Sequence, residues 1–411
     1  MNQLSDKTKI RNLIFLCSMV YFTSYVSRIN LSAILVAIVD SGFAPKTVVA
    51  LALTICSVTY GAGQIISGYL GDRFRPQNVI FSGFLITGCM NLGVFLLQNS
   101  KLLPAIWAVN GFAQALMWPP LVAIMTKHFR PADYQRACVR VSWGSSFATI
   151  AVYLFSPLII HFTSFRYVFL ISSVAAFVMG FSWKVIYAKQ YQADSVTEVV
   201  EKKKAEPAQQ AERSFGRLAI MMLISSMGII ILQGSLRDGV SNWMPSFISE
   251  TFRLDSSVSI LSGVLLPVFS LLCHQAAYSI YHKFLKNELV CAGVIFSAGF
   301  LAAALLSVFH ESNVFFSVFL LALLTGSMHG VNLMMTCMVP PCFAKYGHIS
   351  LISGALNSCT YVGSAVSTYA IAVFSDKFGW NSTIILWAGI ALLGTVLCLA
   401  LSGKWKQFTN K

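Results

Sequence analysis

Apolar residues run in long blocks along this chain, and polar and charged residues gather in the short gaps between them. Twelve blocks reach about 20 residues, the length a helix needs to cross the hydrocarbon core of a bilayer. They lie near 12–39, 47–71, 77–98, 102–128, 135–161 and 165–187, and then near 216–249, 256–282, 288–309, 313–343, 347–373 and 380–403. The first block is too long for a secretory leader and lacks a small-residue cleavage site. Residues 188–214 break the pattern. They are polar, mixed in charge and carry one proline, so they cannot bury themselves and read as a soluble linker. The pattern predicts an all-α integral membrane protein. Its twelve transmembrane helices form two pseudo-symmetric six-helix bundles, 1–187 and 215–411, joined by the linker 188–214.

Composition agrees. Of 411 residues, 56% are hydrophobic and 11% are charged, against about 25% charged in soluble domains. The charge is lopsided, with 29 Lys and Arg against 15 Asp and Glu, a net +14. With the N-terminus placed in the cytoplasm, 22 of the 29 basic residues fall on that side and five on the other, Lys46, Lys101, Arg166, Arg253 and Lys377. Cytoplasmic loops are enriched in Lys and Arg, so both termini are expected in the cytoplasm and the chain in a plasma (inner) membrane. The basic residues are spread over seven segments, which argues against a nucleic-acid partner. The ten cysteines include no CxxC pair and no histidine at metal spacing, so they read as small buried hydrophobes and no metal or cofactor is expected. No nucleophile elbow, zinc-protease or phosphate-loop motif is present, so no catalytic residue is assigned and an enzyme is not expected.

The two halves echo each other. Trp118-Pro119-Pro120 in the fourth span matches Val339-Pro340-Pro341 in the tenth, and Phe165-Arg166-Tyr167 matches Phe378-Gly379-Trp380. Such weak internal symmetry is what a duplicated transporter fold leaves behind.

Two basic residues remain, Arg28 and Arg237, both near the middle of a span. A charge there costs on the order of 3 kcal/mol, so it faces a partner or a polar path. Spans 1 and 7 are pseudo-equivalent, so the two guanidiniums are expected to meet across a central cavity. Each offers a planar fork of donors suited to phosphate or carboxylate. Asp238 is the only acid deep in a span. Adjacent to Arg237, it projects about 100° away on a helix, and one acid cannot neutralise two arginines. The arginines therefore point to an anionic substrate. At similar depth lie Tyr21 and Tyr25 on the face of Arg28, Tyr60 and Gln64 in span 2, Gln233 in span 7, His329 in span 10, and Asn357 and Tyr361 in span 11. At the end of span 2, Gly68-Tyr69-Leu70-Gly71-Asp72-Arg73-Phe74-Arg75 forms a charged tight turn. Asp72 and Arg73 are placed to pair with neighbouring helix ends and to part during a conformational change.

That turn resembles the 2–3 loop signature of the major facilitator superfamily. Within it, the chain resembles the organophosphate:phosphate antiporter family, exemplified by glycerol-3-phosphate and hexose-phosphate transporters. The resemblance spans nearly the whole chain. It is carried by Tyr21, Tyr25, Arg28 and Asn30, by Tyr60-Gly61, by Asn110-Gly111-Phe112-Ala113-Gln114 running to Trp118-Pro119-Pro120, by Leu236-Arg237-Asp238-Gly239-Val240 with Trp243 and Pro245, and by Tyr361-Val362-Gly363-Ser364. It implies that Arg28 and Arg237 are the phosphate-coordinating arginines and that Tyr21, Tyr25 and Tyr361 line the substrate path. Three positions depart. Gln64 stands where those carriers have a lysine, Phe147 where they have a histidine, and Asp238 where the residue is usually uncharged. A cation is lost and an acid gained, which favours a monoanion, or a phosphorylated compound with a cationic part, over a dianionic ester. The string Arg28-Ile29-Asn30-Leu31-Ser32 also resembles the anion:cation symporters, which carry acidic sugars and other carboxylates.

The expected function is secondary transport of a small organic anion, a phosphorylated metabolite exchanged for inorganic phosphate, by alternating access around Arg28 and Arg237. A monomer suffices for this fold. Two alternatives stay open: a carboxylate or acidic-sugar transporter with proton coupling, and a non-transporting phosphate-ester sensor of the same fold.

Overall fold

The computed structural model describes residues 4, 6–192, 215–253 and 265–410. Its spans are α1 (Lys7–Ala33), α2 (Lys46–Arg73), α3 (Pro76–Leu96), α4 (Ser100–His128), α5 (Pro131–Phe162), α6 (Phe165–Tyr187), α7 (Arg217–Phe252), α8 (Leu265–Ile280), α9 (Glu288–Phe309) and α10 (Val314–Cys342). The helical stretch Ile349–Thr409 holds α11 and α12, which part at Gly379, where φ is 76°. Ten of these helices are each long and apolar enough to cross a membrane. The polar side chains of α1 keep it below that mark, and α8 is described over 16 residues. The twelve spans are those expected from the sequence, and the protein is a multi-pass membrane protein. Residues 193–214 of the expected linker and the first part of the expected eighth span lie outside the described residues.

Local chemistry sets the helix starts. Asp6 accepts from the Thr8 amide at 2.8 Å to cap α1, and Asn287 and Asn313 do the same for α9 and α10. Proline opens α3 and α5 at the first helical turn, where its missing N–H costs nothing. The Pro-Pro echo has a structural counterpart. α4 is interrupted at Leu116 and Met117, just before Trp118, and α10 takes a wider turn over Met334–Met338, just before Val339. Two consecutive prolines withdraw two donors from the helical ladder, so the preceding turn loosens in both.

The chain divides into two compact units. One comprises Met1–Ala137, Phe147–Phe215 and Phe343–Gly354; the other comprises Cys138–Ser146, Gly216–Cys342 and Ala355–Lys411. In the first, α1, α3, α4 and α6 are tied by buried amides. Asn30 donates to Asn91 (2.8 Å) and to Ser172 (3.0 Å), and Asn91 and Asn110 each donate to the Ser27 carbonyl (3.2 Å). Buried hydrogen bonds of this kind orient a helix in a way that apolar contact does not. They fix the rotation of α1, and with it the face that carries Tyr21, Tyr25 and Arg28. Gly111 lets α4 lie against α2, because a methyl there would meet the Cys56 carbonyl.

In the second unit, Gly234 and Gly363 do the same for α7 and α11. A methyl on either would strike a carbonyl of the other helix, Thr360 or Ile231. This close approach lies within one turn of Arg237 and Tyr361. The units also repeat a detail of packing. Trp183 of α6 donates to the Gln77 carbonyl at the start of α3 (3.1 Å), and Trp405 of α12 donates to the Glu288 carboxylate at the start of α9 (2.7 Å).

Candidate functional site

The sequence places its candidate residues on both units, and each unit assembles its own group. In the first, Arg28 lies against aromatic faces. Its Cζ is 4.2 Å from the Tyr25 ring centroid and 4.4 Å from that of Tyr60. The i, i+3 spacing on α1 brings Tyr25 to Arg28, and α2 delivers Tyr60. A guanidinium over a ring face is held without losing its charge. Tyr21 extends the group, edge-on to Tyr25 at 5.0 Å and tilted against Trp118 at 4.9 Å. Gln64 sits one turn beyond Tyr60. It is fully buried, and both of its amide atoms lack a hydrogen-bond partner among the described residues. An orphaned amide in a helix interior costs about 1–3 kcal/mol, a cost that a ligand or a conformational change could relieve.

The second unit holds Arg237 differently. Its Nε donates to Asp238 Oδ1 at 2.6 Å and its Nη2 to Oδ2 at 2.8 Å. The angular separation of neighbouring residues does not keep this pair apart, contrary to the expectation from helix geometry. Three methylenes let the guanidinium swing back over the helix surface, and a bidentate bond fixes it there. Asp238 is also bonded to Ser364 of α11. Tyr361 lies under the guanidinium, its ring centroid 5.9 Å from Cζ. Gln233 is committed to packing, because its amide donates to the Met328 carbonyl at 3.0 Å and so ties α7 to α10. His329 of α10 is partly buried, within electrostatic reach of Arg237 and Asp238.

His329 has a neighbour that sequence reasoning missed. His274 of α8 is 4% exposed, with its ring centroid 5.6 Å from that of His329. Its Nδ1 is 2.6 Å from the Ser270 carbonyl. A carbonyl only accepts, so Nδ1 carries the proton and Nε2 is the basic nitrogen. The signal was available: His274 and His329 are the two histidines well inside spans, and an ionisable residue at that depth marks a functional position.

At the end of α2, Asp72 accepts from the amides of Ser350 and Leu351 at 2.9 and 2.8 Å, capping the helical stretch that begins at Ile349. Arg73 turns away to the Tyr69 hydroxyl and ring. Around this cap, the hydroxyls of Ser67, Ser350 and Ser353 are buried without partners among the described residues.

Comparison with known proteins places the chain. The Major Facilitator Superfamily model matches residues 17–341, and the chain belongs to that family. It is 20% identical to a probable hexose phosphate transport protein of Chlamydia muridarum over 401 residues, 91% of this chain and 86% of that one. It is 21% identical to a glycerol-3-phosphate transporter of Bacillus subtilis over 407 residues, 93% and 89% of the two chains. A membrane sensor protein of Salmonella typhimurium matches over 106 residues at 26% identity, 26% of this chain and 24% of that one. Among solved structures, the proton:xylose symporter XylE superposes with a TM-score of 0.74 over 97% of this chain and 96% of that one, at 12% identity. That likeness concerns the fold. Together these make the chain a transporter-fold member of the superfamily.

Proposed function

We propose that the protein moves a small organic anion, a phosphorylated metabolite, across the membrane in exchange for inorganic phosphate. Alternating access around Arg28 and Arg237 carries the exchange. The observation that supports this reading most directly is Arg28, a mid-span guanidinium seated on Tyr25 and Tyr60. Its charge is costly at that depth, which supports a role in binding an anion, and the two ring faces orient it. The relatives named for hexose phosphate and glycerol-3-phosphate transport support a phosphate ester. Tyr21, Tyr25, Tyr60, Gln64, Asp238, His329 and Tyr361 complete the substrate-binding residues, and Asp72 and Arg73 serve in gating. The halves 1–187 and 215–411 are the moving bodies, with the linker 188–214 between them. The 22-to-5 charge split supports a plasma (inner) membrane orientation with both termini cytoplasmic. A monomer carries out the cycle.

Exchange follows from electrostatics. An empty site retains costly buried charge, so reorientation is favoured only when an anion is bound. Asp238 favours a second reading, because it neutralises Arg237 and suits a monoanion or a substrate with a cationic part. The test is counterflow in proteoliposomes. Phosphate trapped inside should drive uptake of labelled sugar phosphate or glycerol phosphate. Uphill uptake driven by a pH gradient, with no counter-anion inside, would overturn the exchange reading. Binding of the ester without flux would assign the protein to the sensors.

A further inference from the structure

We infer that His274 and His329 form a proton-binding site that is filled together with the anion. This rests on the anion-binding reading above and adds a second ligand to it. The rings lie 5.6 Å apart, close enough for a proton on one to exclude a proton from the other. His274 is fixed as the Nδ1–H tautomer by the Ser270 carbonyl, and the Ser270 hydroxyl, itself near Ser146, lies 3.3 Å from the same nitrogen. Its basic nitrogen is therefore Nε2. No hydrogen bond is made to the His329 ring among the described residues, so either partner can accept the proton.

The charge balance explains the linkage. α7 brings Arg237 and Asp238, which cancel as an ion pair. α11 brings Tyr361 beneath the guanidinium, and α8 adds Cys273, packed by Gly326 of α10. α9 packs against α8 and α10, but its titratable groups, Glu288 and Cys291, lie at its first turn, against Tyr281 and the Ala277 carbonyl. With both imidazoles neutral, the group carries no net charge and has little to offer an anion. One proton, taken from water onto an imidazole nitrogen, leaves a net positive charge. The imidazolium then competes with Arg237 for the Asp238 carboxylate and turns the guanidinium toward the ligand. Because the incoming and outgoing anions meet the same protonated group, the proton travels with either, and exchange remains exchange.

The test is phosphate binding by the purified full-length protein in nanodiscs, followed by calorimetry from about pH 6 to about pH 8. Wild type is compared with the double variant His274→Gln/His329→Gln. The ionisation of phosphate is common to both, so the ratio of their affinities isolates the protein's own proton. The ratio of wild-type to variant affinity is expected to be about tenfold larger near pH 6 than near pH 8. A ratio that stays flat across this range overturns the inference while leaving anion binding intact. No phosphate binding by wild type at any pH defeats the anion reading and this inference with it. If the double variant fails to fold, wild type alone decides. Calorimetry in two buffers of different ionisation enthalpy counts the protons taken up, and a count explained by phosphate alone overturns the inference.

Discussion

Arg28 and Arg237 stand at equivalent places in the two halves, yet they are held by opposite chemistries. Arg28 is flanked by the rings of Tyr25 and Tyr60, whereas Arg237 is clasped by both oxygens of Asp238. Ring faces orient a cation and leave its charge in place; a carboxylate cancels it. A duplicated fold can thus keep the position of a charge and change its strength. On the proposed reading, Arg28 is the stronger attraction for an anion, and Arg237 becomes available when its pair with Asp238 opens.

The largest effect follows from removing the stronger member. Arg28→Ala is expected to lower phosphate exchange at least about 100-fold, on the order of 3 kcal/mol, because a desolvated charge contact is lost. Initial rates in proteoliposomes measure it, and a loss under about fivefold would remove the contrast. The next effect separates pairing from binding. Arg237→Ala leaves the half-buried Asp238 beside Ser364 without its main counter-charge, and is expected to destabilise the fold by about 1 kcal/mol. Adding Asp238→Ala should restore most of that loss in thermal unfolding. If the double variant melts no higher than the single one, the pair is not the reason for the position of Asp238.

Much of this was legible before any coordinates. Lipid imposes a length on every span and intrahelical bonding on every backbone, so block length carries the fold. The i, i+3 relation of Tyr25 and Arg28 was equally plain, because helical periodicity alone brings them together. The clasp of Arg237 by Asp238 was not. Angle per residue locates Cβ atoms, and a four-atom stem with a planar head moves several ångströms beyond them. His274 escaped for another reason. It contacts His329 from a helix more than 50 residues earlier, and no local period links α8 to α10. Gln233 drew attention as a polar residue one turn from Arg237, yet its bond to Met328 shows it serving helix packing.

A smaller effect tests the weaker arginine directly. Asp238→Asn keeps the shape and removes the charge that neutralises Arg237. Phosphate is then expected to bind about tenfold tighter, about 1.4 kcal/mol, with the gain greater for dianions than for monoanions. Thermal-shift titrations with phosphate and with a monoanionic carboxylate separate the two. Equal affinity in wild type and variant would mean that Asp238 does not restrain Arg237.

The same contrast of charge placement extends to the turns that follow the second helix of each half. After α2, Asp72 caps the start of α11 through the Ser350 and Leu351 amides. After α8, the turn ends at Lys286 with φ 44°, and the nearby acid, Glu288, is bound by Tyr281 (2.6 Å) and Trp405 (2.7 Å). One acid holds a helix end by its charge; the other is locked by neutral donors within its own unit. Asp72→Asn removes the charge at the helix N-terminus and one of two good acceptors. A carboxylate there contributes about 1 kcal/mol, so the capped form should lose about fivefold in population. The readout is thiol labelling of Ser350→Cys, whose hydroxyl is buried in the capped form. Labelling should quicken about fivefold when Asp72→Asn is added, and Glu288→Gln, which alters contacts to Tyr281 and Trp405 within its own unit, should leave it unchanged. Equal labelling with and without Asp72→Asn would show that the cap does not set this equilibrium, and the two turns would then be alike in effect despite their different chemistry.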